Sequence, residues 1–247
     1  VNNPPLQQFS EDARPVIAAD GDDDLWSVDW SSIEPVILSN MAGDTDFITP
    51  FNNGGDLYIP LARRAGLIPA NVSDDDAASH PGRKKAKQML LASMYGQGMR
   101  SLSESMGISV DEAYQIQAGL RRAMHVTWSF MDQVTANTKR SGFSWTIWGR
   151  MMDERLPDEI KTHVAVNHFC QGSAADVLMD TVLRLDDAGV GHRMKMLIHD
   201  EVVCGKKDVD LVKHVMSTPP KALAERAKIT PILRVDAQEM GQHWLKV

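Results

Sequence analysis

Three segments of this 247-residue sequence hold residue types that could do chemistry. Two are acidic: Val28-Asp29-Trp30-Ser31-Ser32-Ile33-Glu34, and Met196-Leu197-Ile198-His199-Asp200-Glu201-Val202-Val203. In each, a carboxylate closes or interrupts an apolar strand, which would hold it rigidly at the margin of a sheet. If those strands pair, Asp29 and Asp200 converge on one point. Hard cations such as Mg²⁺ prefer oxygen ligands and use one or two carboxylates together with substrate phosphates. Two such ions about 3.5–4 Å apart would activate an attacking hydroxyl and steady a leaving oxygen in phosphoryl transfer. The alternative is structural, with Asp29 as a turn residue and His199-Asp200-Glu201 as a solvated hairpin tip. Spacing alone leaves both readings open.

The third segment is one face of a helix. Arg83, Lys87, Leu91 and Tyr95 recur every four residues, and at about 100° per residue they drift only about 40° per step. At a rise of about 1.5 Å per residue the four span about 18 Å, comparable to a nucleoside triphosphate with its base pair. The chemistry is graded along that line. Two cations at the N-terminal end suit phosphates, a leucine suits a sugar, and an aromatic ring suits a base. The helix N-terminus also favours anions. An amphipathic helix with a solvated basic end explains the cations equally well.

The elements that must position these residues can be read from pattern. Residues 1–20 look extended. Leu25 to Asp29 reads as a buried strand, and Pro35 fits the first turn of a helix ending near Gly43. Residues 44–82 are broken by Gly54-Gly55, Pro60, Pro69 and Pro81, with a short helix expected over Leu57 to Ala65. A helix follows from Arg83 to Arg100. Another starts at the Ser109-x-x-Glu112 capping signature and continues, with a break, to about Arg140. Phe143 to Trp148 reads as a strand or hairpin, and Asn167 to Ala188 as an Ala-rich helix closed by Gly189. Lys195 to Val203 reads as two strands turning at His199-Asp200-Glu201. A helix near Leu211–Lys228 and a strand near Ile232–Ala237 complete the chain.

Composition decides less. The net charge of −7 argues mildly against nucleic-acid binding. The charge is unevenly spread, however. Asp22-Asp23-Asp24 and Asp74-Asp75-Asp76 fall in expected loops, while Arg83-Lys84-Lys85-Lys87 and Arg121-Arg122 gather the basic residues. Cys170 and Cys204 are too few for a disulfide framework or a Cys-rich zinc site. No apolar run approaches the roughly 18 residues of a membrane span. The start, Val1-Asn2-Asn3-Pro4-Pro5, carries neither an initiator Met nor a signal peptide. The expectation is a piece of a longer cytoplasmic protein that does not touch a membrane.

Taken together and in order, the three segments resemble motifs A, B and C of the family A DNA polymerases, the group of bacterial DNA polymerase I and many phage replicases. Asp29-Trp30-Ser31-Ser32-Ile33-Glu34 running to Ala42-Gly43-Asp44 is similar to D-Y-S-Q-I-E followed by S-G-D. Arg83 to Lys87 with Met94-Tyr95-Gly96 is similar to R-x-x-x-K followed by Y-G, and His199-Asp200-Glu201 to motif C. Asn167 with Gln171-Gly172-Ser173-Ala174-Ala175-Asp176 is similar to N-x-x-x-Q-G-x-A-A-D. Asn3-Pro4-Pro5-Leu6-Gln7, Trp148-Gly149-Arg150, and Gly241 with Trp244 echo N-P-N-L-Q, F-G-R and G-x-x-W.

The resemblance implies roles. Asp29 and Asp200 would bind two Mg²⁺ ions, with Mn²⁺ as a substitute, and the Trp30 carbonyl would complete the ligand set. Arg83 and Lys87 would hold the triphosphate, with Lys87 protonating the departing pyrophosphate. Leu91 would meet the sugar, and Tyr95 would stack at the templating position. Glu34 would be a steric gate against a ribose 2′-OH. Asn167 and Gln171 would read the minor groove beside the primer end, checking shape rather than sequence. His199 would steady the primer terminus. Glu201 is either a catalytic contributor or a solvated turn carboxylate. The sequence also departs from the family. Trp30 and Ser32 replace Tyr and Gln, Pro35-Val36 replaces Leu-Arg, Leu91 stands where Phe or Tyr is usual, and Tyr58 replaces the histidine of D-I-H-T.

The resulting expectation is an α+β polymerase palm with an antiparallel sheet and a helical fingers insertion. The palm would take residues 1–44 and 156–247, and the fingers 45–155. The family's T-G-R segment, thumb and any 3′–5′ exonuclease would precede Val1 and are absent from this chain, so this missing portion of the parent protein would be a partner. The other partners would be primer–template DNA and dNTPs. The activity would be a DNA-directed DNA polymerase, a nucleotidyltransferase releasing pyrophosphate, in phage or bacterial replication or repair. The rivals are a single-subunit RNA polymerase, against which Glu34 argues, and a non-catalytic replication module.

Overall fold

A computed structural model of the chain describes residues 9–10, 12–21, 23–152 and 162–245. The Asn3-Pro4-Pro5-Leu6-Gln7 stretch, Asp22 of the first acidic triplet and the expected 155/156 domain boundary lie outside the described residues. In chain order the elements are β1 (Leu25–Trp30), α1 (Ile33–Ala42), α2 (Thr45–Asn52), α3 (Tyr58–Arg64), α4 (Asp74–Ser79), α5 (Pro81–Tyr95), α6 (Met99–Met106), α7 (Val110–Ala123) and α8 (His125–Ser141). A hairpin of β2 (Ser144–Trp145) and β3 (Met151–Met152) follows, then α9 (Thr162–Asp187), β4 (Met196–Ile198), β5 (Glu201–Gly205), α10 (Val209–Ser217), α11 (Lys221–Arg226) and β6 (Val235–Gly241). No helix among the described residues is long and apolar enough to cross a membrane.

The chain forms two compact units. One, made of Val1–Ile33, Ala174–Lys221 and Ile232–Val247, is built on a four-stranded antiparallel sheet of order β4-β5-β1-β6. Alternate residues of β1 point to opposite faces. Trp26, Val28 and Trp30 share the face nearest α10, which packs on β1, β5 and β6. The Trp30 Nε1–H donates to the Met216 carbonyl at 2.8 Å. On the opposite face Leu25 joins Ile198, Val203, Met240 and Trp244 in a core cluster, against which Phe9, Ile17, Ala19 and Met196 pack. The last strand starts three residues later and ends four residues later than the sequence pattern suggests. Gln238 and Glu239 pair with β1 all the same, because ladder hydrogen bonds need no apolar side chain.

The other unit, Glu34–Ser173 with Ala222–Pro231, is mainly helical. Helices α3, α5 and α7 pack pairwise, with Ala86, Met89, Leu90 and Met94 of α5 buried. Asp44 is buried and capped into place. One oxygen accepts from the Phe47 N–H at the start of α2 and the other from both the N–H and Oγ1 of Thr127 in α8. Gly82 is required by space, since a Cβ there would lie 2.2 Å from the Leu67 carbonyl oxygen.

Several boundaries differ from expectation, each for a local reason. The helix expected to reach Arg100 stops at Tyr95, where Gly96 takes the left-handed conformation at φ 68°, and α6 then starts separately. Asp74-Asp75-Asp76 is not a loop but the first turn of α4. Ser73 Oγ accepts there from the Asp76 N–H, and the three carboxylates sit at the favourable positive end of the helix dipole. Pro219-Pro220 divides the expected 211–228 helix into α10 and α11.

Candidate functional site

In the sheet unit, Asp29, the penultimate residue of β1, lies between two acidic neighbours. Antiparallel register pairs it with Glu201 of β5 on one side and with Asp236 of β6 on the other. Directly paired residues share a face, so the three side chains leave the sheet on the same side. The Trp30 N–H donates to the Asp200 carbonyl at 3.4 Å, which draws the tip of the β4–β5 hairpin to the end of β1. Ser31 Oγ donates to Asp236 Oδ2 at 2.5 Å.

The hairpin tip consists of His199 and Asp200. His199 has φ 54° and Ser32 has φ 59°, and among the described residues these are the two non-glycine positions with positive φ. Such a conformation costs on the order of 1–2 kcal/mol for an L-residue. One of the strained positions immediately precedes Asp200 and the other lies three residues past Asp29. The hairpin therefore projects Asp200 from strands whose other members are largely dry. Glu201, with 3% exposure, is buried rather than a solvated turn carboxylate.

Like-charged residues opposite one another in a ladder repel, and a hard cation relieves that repulsion. The groups that could hold one are hard oxygen donors as well: the carboxylates of Asp29 and Asp200 and the Trp30 carbonyl. Among the described residues no group of three or more His, Cys, Asp or Glu side chains forms a ready-made metal cage. Two carboxylates completed by substrate oxygens suit Mg²⁺ better than a cage of protein ligands would.

In the helical unit, the line from Arg83 to Tyr95 is a partly exposed face of α5. Lys87 is exposed, and Arg83, Leu91 and Tyr95 are half-buried. Arg83 is paired with Asp56, and the ring of Tyr58 lies 5.7 Å from the Arg83 guanidinium and 5.6 Å from Lys87 Nζ. At the far end Tyr95 Oη donates a very short hydrogen bond to Glu34 Oε2, and Gln171 of α9 also hydrogen-bonds Tyr95. Burial, reinforced by the Glu34 hydrogen bond and charge, raises the Tyr95 pKa well above that of an ordinary phenol, with Gln171 opposing in part. Burial likewise raises the neighbouring Cys170 thiol. Asn167 lies one turn before Gln171 on α9.

The predicted residues thus fall into two groups. Asp29, Trp30, His199, Asp200 and Glu201 come together in the sheet unit. Glu34, Tyr95 and Gln171 come together in the helical unit, with Arg83 and Lys87 further along the same helix. Sequence reasoning missed Asp56 and Asp236. Asp56 left a signal, an N-capping aspartate just before the expected helix at Leu57. Asp236 left none, because its partner in the ladder is more than two hundred positions away.

The chain matches the family model described as DNA polymerase family A over residues 1–246. It is 32% identical over 178 residues to the DNA polymerase of Mycobacterium phage D29, covering 72% of this chain and 28% of that protein. It is 30% identical over 236 residues to the DNA polymerase I of Streptococcus pneumoniae strain R6, covering 89% of this chain and 26% of that protein. The chain therefore spans about a quarter of the length of these relatives. Among solved structures it resembles the POL domain of Pol1 from M. smegmatis, in complex with DNA primer-template and dNTP. The TM-score is 0.73 and the identity 22%, over 97% of this chain and 44% of that one.

Proposed function

Since the chain belongs to DNA polymerase family A, we propose that it carries the nucleotidyl-transfer centre of a template-directed DNA polymerase. The observation that supports this most is the main-chain lacing of Asp200 to the end of β1 beside Asp29. Two carboxylates far apart in sequence thereby share one end of one sheet. We assign residues 1–44 and 156–247 to a palm and 45–155 to fingers.

In this reading the primer 3′-oxygen attacks the α-phosphorus of a dNTP. A new P–O bond forms, the bond to the bridging oxygen breaks, and pyrophosphate departs while the hydroxyl proton passes to solvent. Asp29, Asp200 and the Trp30 carbonyl would hold two Mg²⁺ ions, or Mn²⁺ in their place. When bound, these supply electrostatic stabilisation of the attacking and leaving oxygens. Arg83 and Lys87 bind the triphosphate, and Lys87 donates a proton to the pyrophosphate as it leaves. Leu91 packs on the sugar, and Glu34, held by Tyr95, excludes a 2′-hydroxyl. Tyr95 stacks at the templating position, His199 steadies the primer end, and Asn167 and Gln171 contact the minor groove. Glu201, paired with Asp29 across the ladder, contributes a further carboxyl group to the site. Catalysis in this scheme is chiefly positioning and electrostatics.

The binding partners follow from the same reading: primer–template DNA, as in the solved relative, and dNTPs. The setting is phage or bacterial replication or repair, in the cytoplasm of a bacterial cell or infected host. Primer extension by the full-length protein with Mg²⁺, comparing dNTPs with rNTPs, tests the proposal. Template-dependent dNTP addition supports it. Addition of rNTPs alone would indicate an RNA polymerase, and no addition of either would indicate a non-catalytic module.

A further inference from the structure

Asp56 has no role in the scheme above, yet it touches the cationic face of α5 directly. Its Oδ2 accepts from Arg83 Nε at 3.0 Å and Nη2 at 2.6 Å. Its Oδ1 accepts from the backbone N–H groups of Tyr58 at 2.7 Å and Ile59 at 2.8 Å, which open α3. The carboxylate is therefore fixed by the helix it caps. Two residues on, the buried Tyr58 ring stands 5.6–5.7 Å from the charged groups of both Arg83 and Lys87, within the range of a cation–π attraction. One short segment thus contacts both cations.

We propose that Asp56, together with Tyr58, is a positioning residue that aligns Arg83 and Lys87 for a triphosphate before it binds. The inference rests on reading α5 as the triphosphate seat. A guanidinium carries five N–H donors in a rigid fork. Asp56 takes Nε and Nη2 through a single oxygen, which leaves the Nη1 side for a phosphate oxygen. Arginine and lysine lose rotamer freedom when they bind a ligand, and ordering them beforehand removes that loss from the binding step. Burial of Asp56 favours its neutral form, but the Arg83 hydrogen bond and the two backbone N–H groups outweigh it. The carboxyl is held below its ordinary range and stays charged at neutral pH.

An opposite role is physically possible, in which Asp56 competes with phosphate for Arg83, and the two roles predict opposite signs. Asp56→Asn keeps an oxygen to cap α3 while removing the charge. Binding of dNTP and of inorganic tripolyphosphate to the full-length protein, by calorimetry, reads the effect without catalysis. The positioning role predicts about fivefold to tenfold weaker binding of both probes. It also predicts a KM for dNTP that rises more than kcat falls. In an Arg83→Ala background, Asp56→Asn should change affinity less than about twofold, because the residue acts through Arg83. Tyr58→Leu should weaken binding in the same direction.

Equal or tighter binding by Asp56→Asn overturns the proposal, as does an undiminished effect in the Arg83→Ala background. A wild-type protein that binds tripolyphosphate but extends no primer overturns the polymerase reading and leaves this one standing. A protein that extends primers normally with Asp56→Asn unchanged in all these measurements overturns this one alone.

Discussion

Trp30 and Asp200 are joined by main chain: the N–H of one donates to the carbonyl of the other at 3.4 Å, at the end of β1 and the tip of the β4–β5 hairpin. The hairpin is thereby positioned through backbone bonds that do not depend on which side chain residue 200 carries. Asp200→Asn should therefore leave the fold intact, with a melting temperature close to wild type, while lowering nucleotide addition at least about 10²- to 10³-fold. Single-turnover incorporation together with thermal unfolding checks both halves. Near-normal incorporation would remove Asp200 from the metal site.

Glu34 reaches Tyr95 across the helical unit, and the pair fixes the rotamer of the proposed gate. Glu34→Ala should relax exclusion of ribonucleotides by about 10- to 10²-fold, the scale on which a pocket discriminates one added hydroxyl. Tyr95→Phe, which removes one hydrogen bond to the carboxylate but leaves it in place, should have a smaller effect. The ratio of kcat/KM for dNTP and rNTP is the measurement, and an unchanged ratio in Glu34→Ala contradicts the gate.

Lys87 is the exposed cation of the α5 face. Lys87→Ala should raise the KM for dNTP by about tenfold or more, with much less change in primer–template affinity. Equal losses in the two would show a general electrostatic role instead.

The Tyr95 phenol is raised above its ordinary value near 10, so the native chain holds this proton more tightly than the unfolded chain does. Stability then falls as pH rises past the unfolded value. Tyr95→Phe should lose some stability at neutral pH but decline less steeply above pH ~10. The difference in slope should stay below the roughly 1.4 kcal/mol per pH unit of one fully linked proton, because the ring is only half-buried. Urea unfolding between pH ~8 and ~11 reads it directly, and parallel curves for the two proteins would count against the linkage.

Gly82 lies where the start of α5 meets the Leu67 carbonyl. Gly82→Ala must move backbone, a costlier adjustment than shifting a flexible side chain, so a loss of about 2 kcal/mol or more is expected despite alanine's better helix propensity. Denaturant midpoints check this, and a neutral or stabilising result would mean that the Leu67 loop yields easily.

Much of the scaffold was legible because its signals are local. Ser109 and Glu112 marked the start of α7, Pro35 and Gly43 bracketed α1, and the four-residue spacing placed Arg83, Lys87, Leu91 and Tyr95 along one side of α5. The misses were of two kinds. Where a competing signal stood nearby, the wrong one prevailed: the Asp74 triplet read as solvated loop although Ser73 caps it, and Gly96 ended a helix whose flanks remain helix-forming. Where the partner was remote, no signal for the pairing itself existed, even where, as at Asp56, a local role was legible. The Arg83–Asp56 pair and the row Glu201, Asp29, Asp236 arise from packing and register, neither of which a linear pattern contains.

The central position of β1 also governs how the protein can be made. Its two flanking strands come from residues 201–205 and 235–241, so its two edges stay unsatisfied until those much later segments have been synthesised. The row Glu201, Asp29 and Asp236 is consequently assembled by pairing between segments remote in sequence, a slow class of contact to form. A ribosome-bound or prematurely terminated product would display an open, Trp-containing strand prone to self-association.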